Sequence, residues 1–213
     1  MDTASVRAVP LFAAAALAVL SASGCYAGTA RAISPRDVAA EVAADPGWLV
    51  VENVPLIRQR SDADCGTAAA AMVLSYWSAP TTVAELDARD PFAAAHGWRA
   101  SQLRALLREK GFDAFVISGR LEDLAHELRQ GRPVVVGMVK RYRGERGVAH
   151  YEVVIGVHPA RRRILTLDPA DGWRENTLEG FDSEWGLSDR TTLVVLPRRQ
   201  PDAAAVQRSP GAS

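Results

Sequence analysis

Cys65 stands in the run Asp64-Cys65-Gly66-Thr67, directly ahead of four alanines and Met72-Val73-Leu74. Asp64 is a residue type that starts helices, so the run predicts a helix over 65–77 with Asp64 as its N-cap and Cys65 in its first turn. Unpaired N–H groups and the helix dipole place positive potential there, which suits a thiolate, the nucleophilic form of the side chain. The helix is apolar nearly all round and is expected in the core, where it would hold that nucleophile rigidly. Gly66 carries no side chain and leaves room for a substrate backbone beside Cys65.

A nucleophile of this kind works with a base. The run from His150 to Val157 alternates toward the turn signal His158-Pro159-Ala160, and the chain returns through three arginines to Asp168. A hairpin centred on Pro159 sets His150 opposite Asp168, with Val153, Ile155, Val157, Leu165 and Leu167 on the other face. Opposed side chains in such a ladder lie about 4.5–5.5 Å apart at Cβ. A carboxylate at that place fixes the tautomer and orientation of an imidazole. Should a bulge intervene, Asp171 takes the role instead. His96 in a loop, His126 on a helix surface and His158 in the turn have no comparable setting.

The sequence holds one other cysteine, Cys25. Ahead of it come Arg7, an apolar run from Val9 to Leu20, and the small residues Ser21 to Gly24. This is the layout of a signal peptide over 1–24, too short for a comfortable membrane span. A cysteine directly after small residues resembles a bacterial lipobox, although the leucine usual three positions earlier is Ala22 here. That resemblance implies a lipid anchor on Cys25. Tyr26, where inner-membrane retention signals carry aspartate, implies the outer membrane, facing the periplasm. Ordinary signal cleavage nearby is the alternative. Either way Cys65 loses its only possible disulfide partner and is expected to be a free thiol.

The elements that must position these groups follow from periodicity and punctuation. Helices are predicted over 35–44, capped by Ser34, over 83–89, over 101–110 with Ser101 as cap, and over 121–130. Strands are predicted over 112–117, 134–140, 150–157, 164–167 and 192–196, with a helical turn carrying Phe181 and Trp185. Helices dominate the first half and strands the second, which indicates an α+β architecture. Residues 25–47 read as a tether with one short helix, 48–197 as the single domain, and 198–213 as a disordered tail. Lys140, Arg141, Arg143 and Arg146 read as a solvated basic loop bordering the site. Trp173 is placed either over the catalytic pair or in the core.

Composition narrows the function. The 213 residues balance 25 Lys+Arg against 25 Asp+Glu, which leaves no electrostatic footprint for nucleic acid. Two cysteines are too few for a disulfide framework, and no CxxC or HxxxH spacing offers a structural zinc site. No P-loop is present, so no role for ATP is expected.

Gln59 in the run Q-x-x-x-A-D-C-G ending at Gly66, AHYEVVIGV around His150, LDPADG at Asp168 and the late Phe181/Trp185 element together resemble the bacteriocin-processing double-glycine peptidases. These are papain-like cysteine peptidases, often found as domains of peptide-exporting transporters. The resemblance covers residues 51–196. It implies a papain-like fold with a buried catalytic helix packed on an antiparallel sheet. It also implies Cys65 as nucleophile, His150 as general base and acid, Asp168 as its orienter, and Gln59 as oxyanion-hole donor. The chemistry implied is peptide hydrolysis through a thioester, with a polypeptide substrate and no metal or organic cofactor. As an exported chain without later membrane spans, it is expected to act on an envelope or secreted polypeptide. Two other readings stay open: a non-catalytic peptide-binding or assembly lipoprotein of the same fold, and an amide hydrolase acting on a cell-wall peptide.

Overall fold

A computed structural model describes residues 26–142 and 147–198; the signal-peptide segment 1–24, Cys25 and most of the expected tail lie outside these residues. In chain order the elements are β1 (Arg31–Ala32), α1 (Pro35–Ala44), β2 (Leu49–Val50), α2 (Cys65–Tyr76), α3 (Val83–Asp87), α4 (Pro91–His96), α5 (Ala100–Glu109), β3 (Phe112–Ser118) and α6 (Leu121–Arg129). They continue with β4 (Val134–Lys140), β5 (Val148–His158), β6 (Arg163–Asp168), β7 (Gly172–Thr177), α7 (Leu178–Trp185), a 3₁₀ turn over Gly186–Ser188, and β8 (Thr191–Pro197).

The strands form one antiparallel sheet in the order β1-β7-β6-β5-β4-β8-β3, with β2 pairing the end of β5. The last strand, β8, is inserted between β3 and β4 and pairs with both. β5 is the spine: its first half pairs with β4 and its second half with β6. α2 lies against it, buried from Cys65 to Leu74. The alanines of α2 are fully covered, so the helix backbone sits close to the sheet and its apolar surroundings leave no polar face to solvate. The α+β architecture and the buried helix match the sequence reading.

Three expectations about local structure need correction. The segment 25–47 reads in sequence as a tether, but its described part is bound along the domain. β1 pairs with β7, Val38 joins the core, and the Ala27 N–H donates to the Arg141 carbonyl at 2.8 Å. The α5 helix begins before Ser101: its cap is Arg99, whose N–H donates to the Gln102 side chain at 2.9 Å. The helix Pro91–His96 and the strand Gly172–Thr177 were not foreseen. Asp90 caps the former, accepting from the Ala93 N–H at 3.0 Å. In the latter, Glu175 is buried by pairing with Arg31 and Arg163, which places charge where a strand pattern shows hydrophobics.

Candidate active site

Cys65 is the first residue of α2, as expected, and is a free, buried thiol. Asp64 precedes the helix but does not cap it with its side chain. Its buried carboxylate turns back instead and accepts from the N–H groups of Arg60 and Ser61 at 3.0–3.1 Å. Those two donors lie just after Gln59, so Asp64 shapes the loop that carries Gln59 while its own backbone starts the helix. Leaving such buried groups unpaired costs about 1–3 kcal/mol. Gly66 also has a different reason from the one read in the sequence. A Cβ there would stand 3.1 Å from Leu103 Cδ1, 3.2 Å from Tyr151 Cδ2 and 3.3 Å from Trp98 Cβ. Its bareness lets the cleft wall pack onto the catalytic helix rather than opening space for a substrate.

His150 and Asp168 meet: the imidazole Nε2 donates to Asp168 Oδ1 at 2.7 Å. They do so by a different register from the one expected. β5 and β6 pair Val153 with Leu167 and Val154 with Thr166, and the register shifts between Val154 and Gly156. The connection is longer than a turn on Pro159, and Arg162 within it takes a left-handed φ of 52°. His150 therefore reaches Asp168 diagonally across the ladder, within range for long side chains. Asp171 is not the partner; its backbone N–H donates to Asp168 Oδ1 at 3.3 Å, while that of Ala170 does so at 2.8 Å. With Nε2 held by Asp168, Nδ1 is the ring nitrogen left for Cys65, whose thiol lies close enough to His150 to favour its charged form.

Gln59 lies beside this group on a loop tied to the Asp168 loop. Its N–H donates to the Pro169 carbonyl at 3.1 Å, and Arg58 donates to the Ala170 carbonyl. The Gln59 side-chain amide donates to the Ser61 carbonyl at 2.9 Å, and its buried Oε1 has no partner. Among the described hydrogen bonds none joins Gln59 to Cys65.

A cleft of about 430 Å³ opens over Cys65, lined by Ala63, Ala95, Gly97 and Ala149 with Trp98 and Tyr151. His96, read as a loop residue, ends α4 at the rim, stacked on Phe92. Trp98 is pinned by Asp87, whose Oδ1 accepts from the indole N–H at 3.2 Å and from the Thr67 hydroxyl of α2 at 2.8 Å. Asp87 escaped the sequence reading, since nothing in a short amphipathic helix marks one acid as a bracket. Trp173 pairs across to Leu167 and packs against the core. His158, read as a turn residue, is buried at the end of β5 with Nε2 3.0 Å from Asp45.

The charges of the site support an ion pair. Burial opposes charge on His150, but Asp168 and Cys65 outweigh it and raise its pKa to about 10. Burial alone would push the Asp168 carboxyl up; His150 and Lys140 instead hold it far below the usual carboxylate range. Linkage then fixes the sign of the pH response. The His150 contribution to stability is complete below its unfolded pKa, about 6.5, and is lost as pH rises through about 10. Asp168 contributes above its unfolded pKa, about 3.9, and that share is lost on acidification. Thermal melts of the chain should therefore fall in Tm from neutral pH toward pH 10, and His150→Gln should flatten that decline. A decline of equal steepness in the variant would assign it to other groups.

The sequence of residues 53–199 matches the Peptidase C39 family. The chain is 27% identical over 146 residues to the lactococcin-G-processing and transport ATP-binding protein LagD of Lactococcus lactis subsp. lactis, covering 67% of this chain but 18% of that protein. Its fold is similar to a C39-like peptidase from Bacillus anthracis, with TM-score 0.58 and 18% identity over 72% of this chain and 99% of the other. It is also similar to a double glycine motif protease from an AMS/PCAT transporter in complex with the leader peptide, with TM-score 0.55 and 22% identity over 68% and 93% of the two chains. The papain-like fold is thus shared with solved peptidase domains. With well over half its length matched, and a cysteine at the head of a buried helix facing a histidine, the chain belongs to the Peptidase C39 family of cysteine peptidases.

Proposed function

We propose that this peptidase cleaves an exported or envelope polypeptide after small residues, through a thioester on Cys65. The observation that carries the reading is a free, buried Cys65 at an open cleft, beside a His150 that is hydrogen-bonded to Asp168. In this mechanism Cys65 Sγ attacks the peptide carbonyl carbon, and His150 passes its proton to the leaving amine. Water then attacks the thioester while His150 takes up the proton, and Asp168 holds the ring in place throughout. The Cys65 backbone N–H, at the first helical position, has no helical acceptor and faces the oxyanion. The second N–H of the Gln59 amide is the other donor; one such donor is worth ~10²–10³ in rate.

The cleft supports the substrate class. Ala63, Ala95, Gly97 and Ala149 leave width for a main chain, while the rings of Trp98 and Tyr151 limit depth. The small residues suit glycine or alanine ahead of the cut, and Asp62, His96 and Arg99 add polar groups to the same lining. A solved relative bound to a leader peptide is a double glycine motif protease, which fits a Gly-Gly preference. The N-terminal sequence supports export and a lipid anchor on Cys25, with the peptidase held at the cell envelope.

The test uses full-length chain and peptides that differ only in the two residues before the cut, read by product mass. Gly-Gly should exceed Val-Val by at least tenfold in kcat/KM. Equal cleavage of both would overturn the specificity; cleavage only of cell-wall peptides would replace the substrate class.

A further inference from the structure

Lys140 is the last residue of β4 and reads in sequence as the first of a solvated basic run, yet it is 3% exposed. Its ammonium pairs with buried Glu152 and lies 3.3 Å from Asp168 Oδ2. The Asp168 carboxylate is thus divided: Oδ1 takes His150 and the Ala170 N–H, and Oδ2 faces Lys140. His150, Glu152 and Asp168 bring ligand atoms within 4.8 Å of one another, and the Lys140 ammonium contacts the two carboxylates among them. The Tyr26 ring covers that ammonium at 5.3 Å, with the Tyr26 hydroxyl donating to buried Glu184 at 2.8 Å. Arg174 lies 5.5 Å from the same ring and 4.0 Å from Asp171, and Tyr142 packs edge-on against it.

We propose that Lys140 is a positioning residue for catalysis: its ammonium fixes the Asp168 carboxylate on His150 and, balanced by Glu152, sets the field in which the Cys65–His150 pair ionises. One physical point favours this over a pair that merely fills the core. A Lys–Glu pair alone needs no contact with Asp168, whereas here rotating that carboxylate off His150 also breaks its contact with Lys140.

The inference rests on Cys65 and His150 being the reacting pair, but its test needs no peptide substrate. The rate of Cys65 alkylation by iodoacetamide is followed against pH on the full-length chain, quantified on the Cys65 peptide by mass. The profile gives two midpoints: formation of the thiolate and loss of the imidazolium proton. Lys140→Met should move both upward by about one pH unit, because a nearby positive charge is lost. Glu152→Gln should move both downward by a similar amount, and Lys140→Arg should restore the wild-type midpoints. A structural role alone would change amplitude or melting temperature without opposite displacements. Unmoved midpoints, or movement in one direction in both variants, would overturn the proposal. If Lys140→Met does not fold, the sign of the shift in Glu152→Gln decides. If neither folds, the charge-free double Lys140→Met/Glu152→Met decides, since apolar replacement of a whole buried pair is tolerated. It should alkylate about tenfold slower at pH 7 through misplacement of Asp168, and an undiminished rate overturns the proposal. Shifted midpoints in a chain that cleaves no peptide would leave this inference standing and remove the proposed function.

Discussion

Cys65→Ala should abolish peptide cleavage, with kcat reduced by at least ~10⁴-fold, while the chain melts within a few degrees of wild type. The nucleophile forms the covalent bond to the acyl group, and no neighbouring side chain can replace it. Removing the nucleophile of such a relay costs nearly as much as removing the whole of it, so the effect is at the top of the range for point changes, up to about 10⁶-fold. The fold should survive because Cys65 heads a helix held from Cys65 to Leu74 by its own burial and contributes one small side chain to that packing. A deletion of this size costs about 1 kcal/mol. Product mass under single-turnover conditions measures the loss. Cleavage by the variant at more than one hundredth of the wild-type rate would place the nucleophile elsewhere.

Asp168→Asn should be the second most damaging change, lowering kcat by about 10³–10⁴-fold with little change in KM. The amide is nearly isosteric, yet it cannot serve both of its neighbours. Its single oxygen can accept from His150 or face Lys140, and its NH₂ group then opposes the other donor. If the NH₂ faces His150, Nε2 must accept and the ring proton moves to Nδ1, which then cannot take the proton of the Cys65 thiol. The negative charge that helps raise the His150 pKa to about 10 is lost in either case, so the alkaline midpoint should fall toward about 6.5. The pH profile of kcat/KM and of alkylation both report this. A variant with reduced rate but an unmoved alkaline midpoint would show that another group sustains the imidazolium.

The residues to which the proposed mechanism assigns the chemistry were legible because each has a local signature. Cys65 follows a helix-starting residue and precedes an apolar helix, and His150 and Asp168 flank one hairpin. The hairpin's register was not legible. The irregularity between Val154 and Gly156 and the left-handed Arg162 displace the pairing; Gly156 is its one local mark, and Arg162 is not the glycine or asparagine that would advertise a left-handed residue. The diagonal reach of His150 makes up the difference, so the pair was right for a partly mistaken reason. Lys140 was misread because its partners come from two other strands, and a run of cations gives no sign of where its first member points. The strand Gly172–Thr177 was missed for the same physical cause: its charges are satisfied by Arg31 and Arg163, distant in sequence. Insertion of β8 between β3 and β4 depends on non-local pairing that no window of sequence contains.

The seat of Tyr26 on Lys140 has a consequence of scale. Its ring centre is 5.3 Å from an ammonium that is itself 3.3 Å from the catalytic carboxylate. One residue of chain adds at most about 3.8 Å to the reach. In the lipid-anchored form proposed above, the acyl-bearing residue would be the immediate neighbour of Tyr26, and the enzyme would hang on a stalk with little slack. It would not patrol the periplasm on a flexible leash. Its working volume would be a shallow layer along the bilayer, and the polypeptides it meets would be those that travel within that layer.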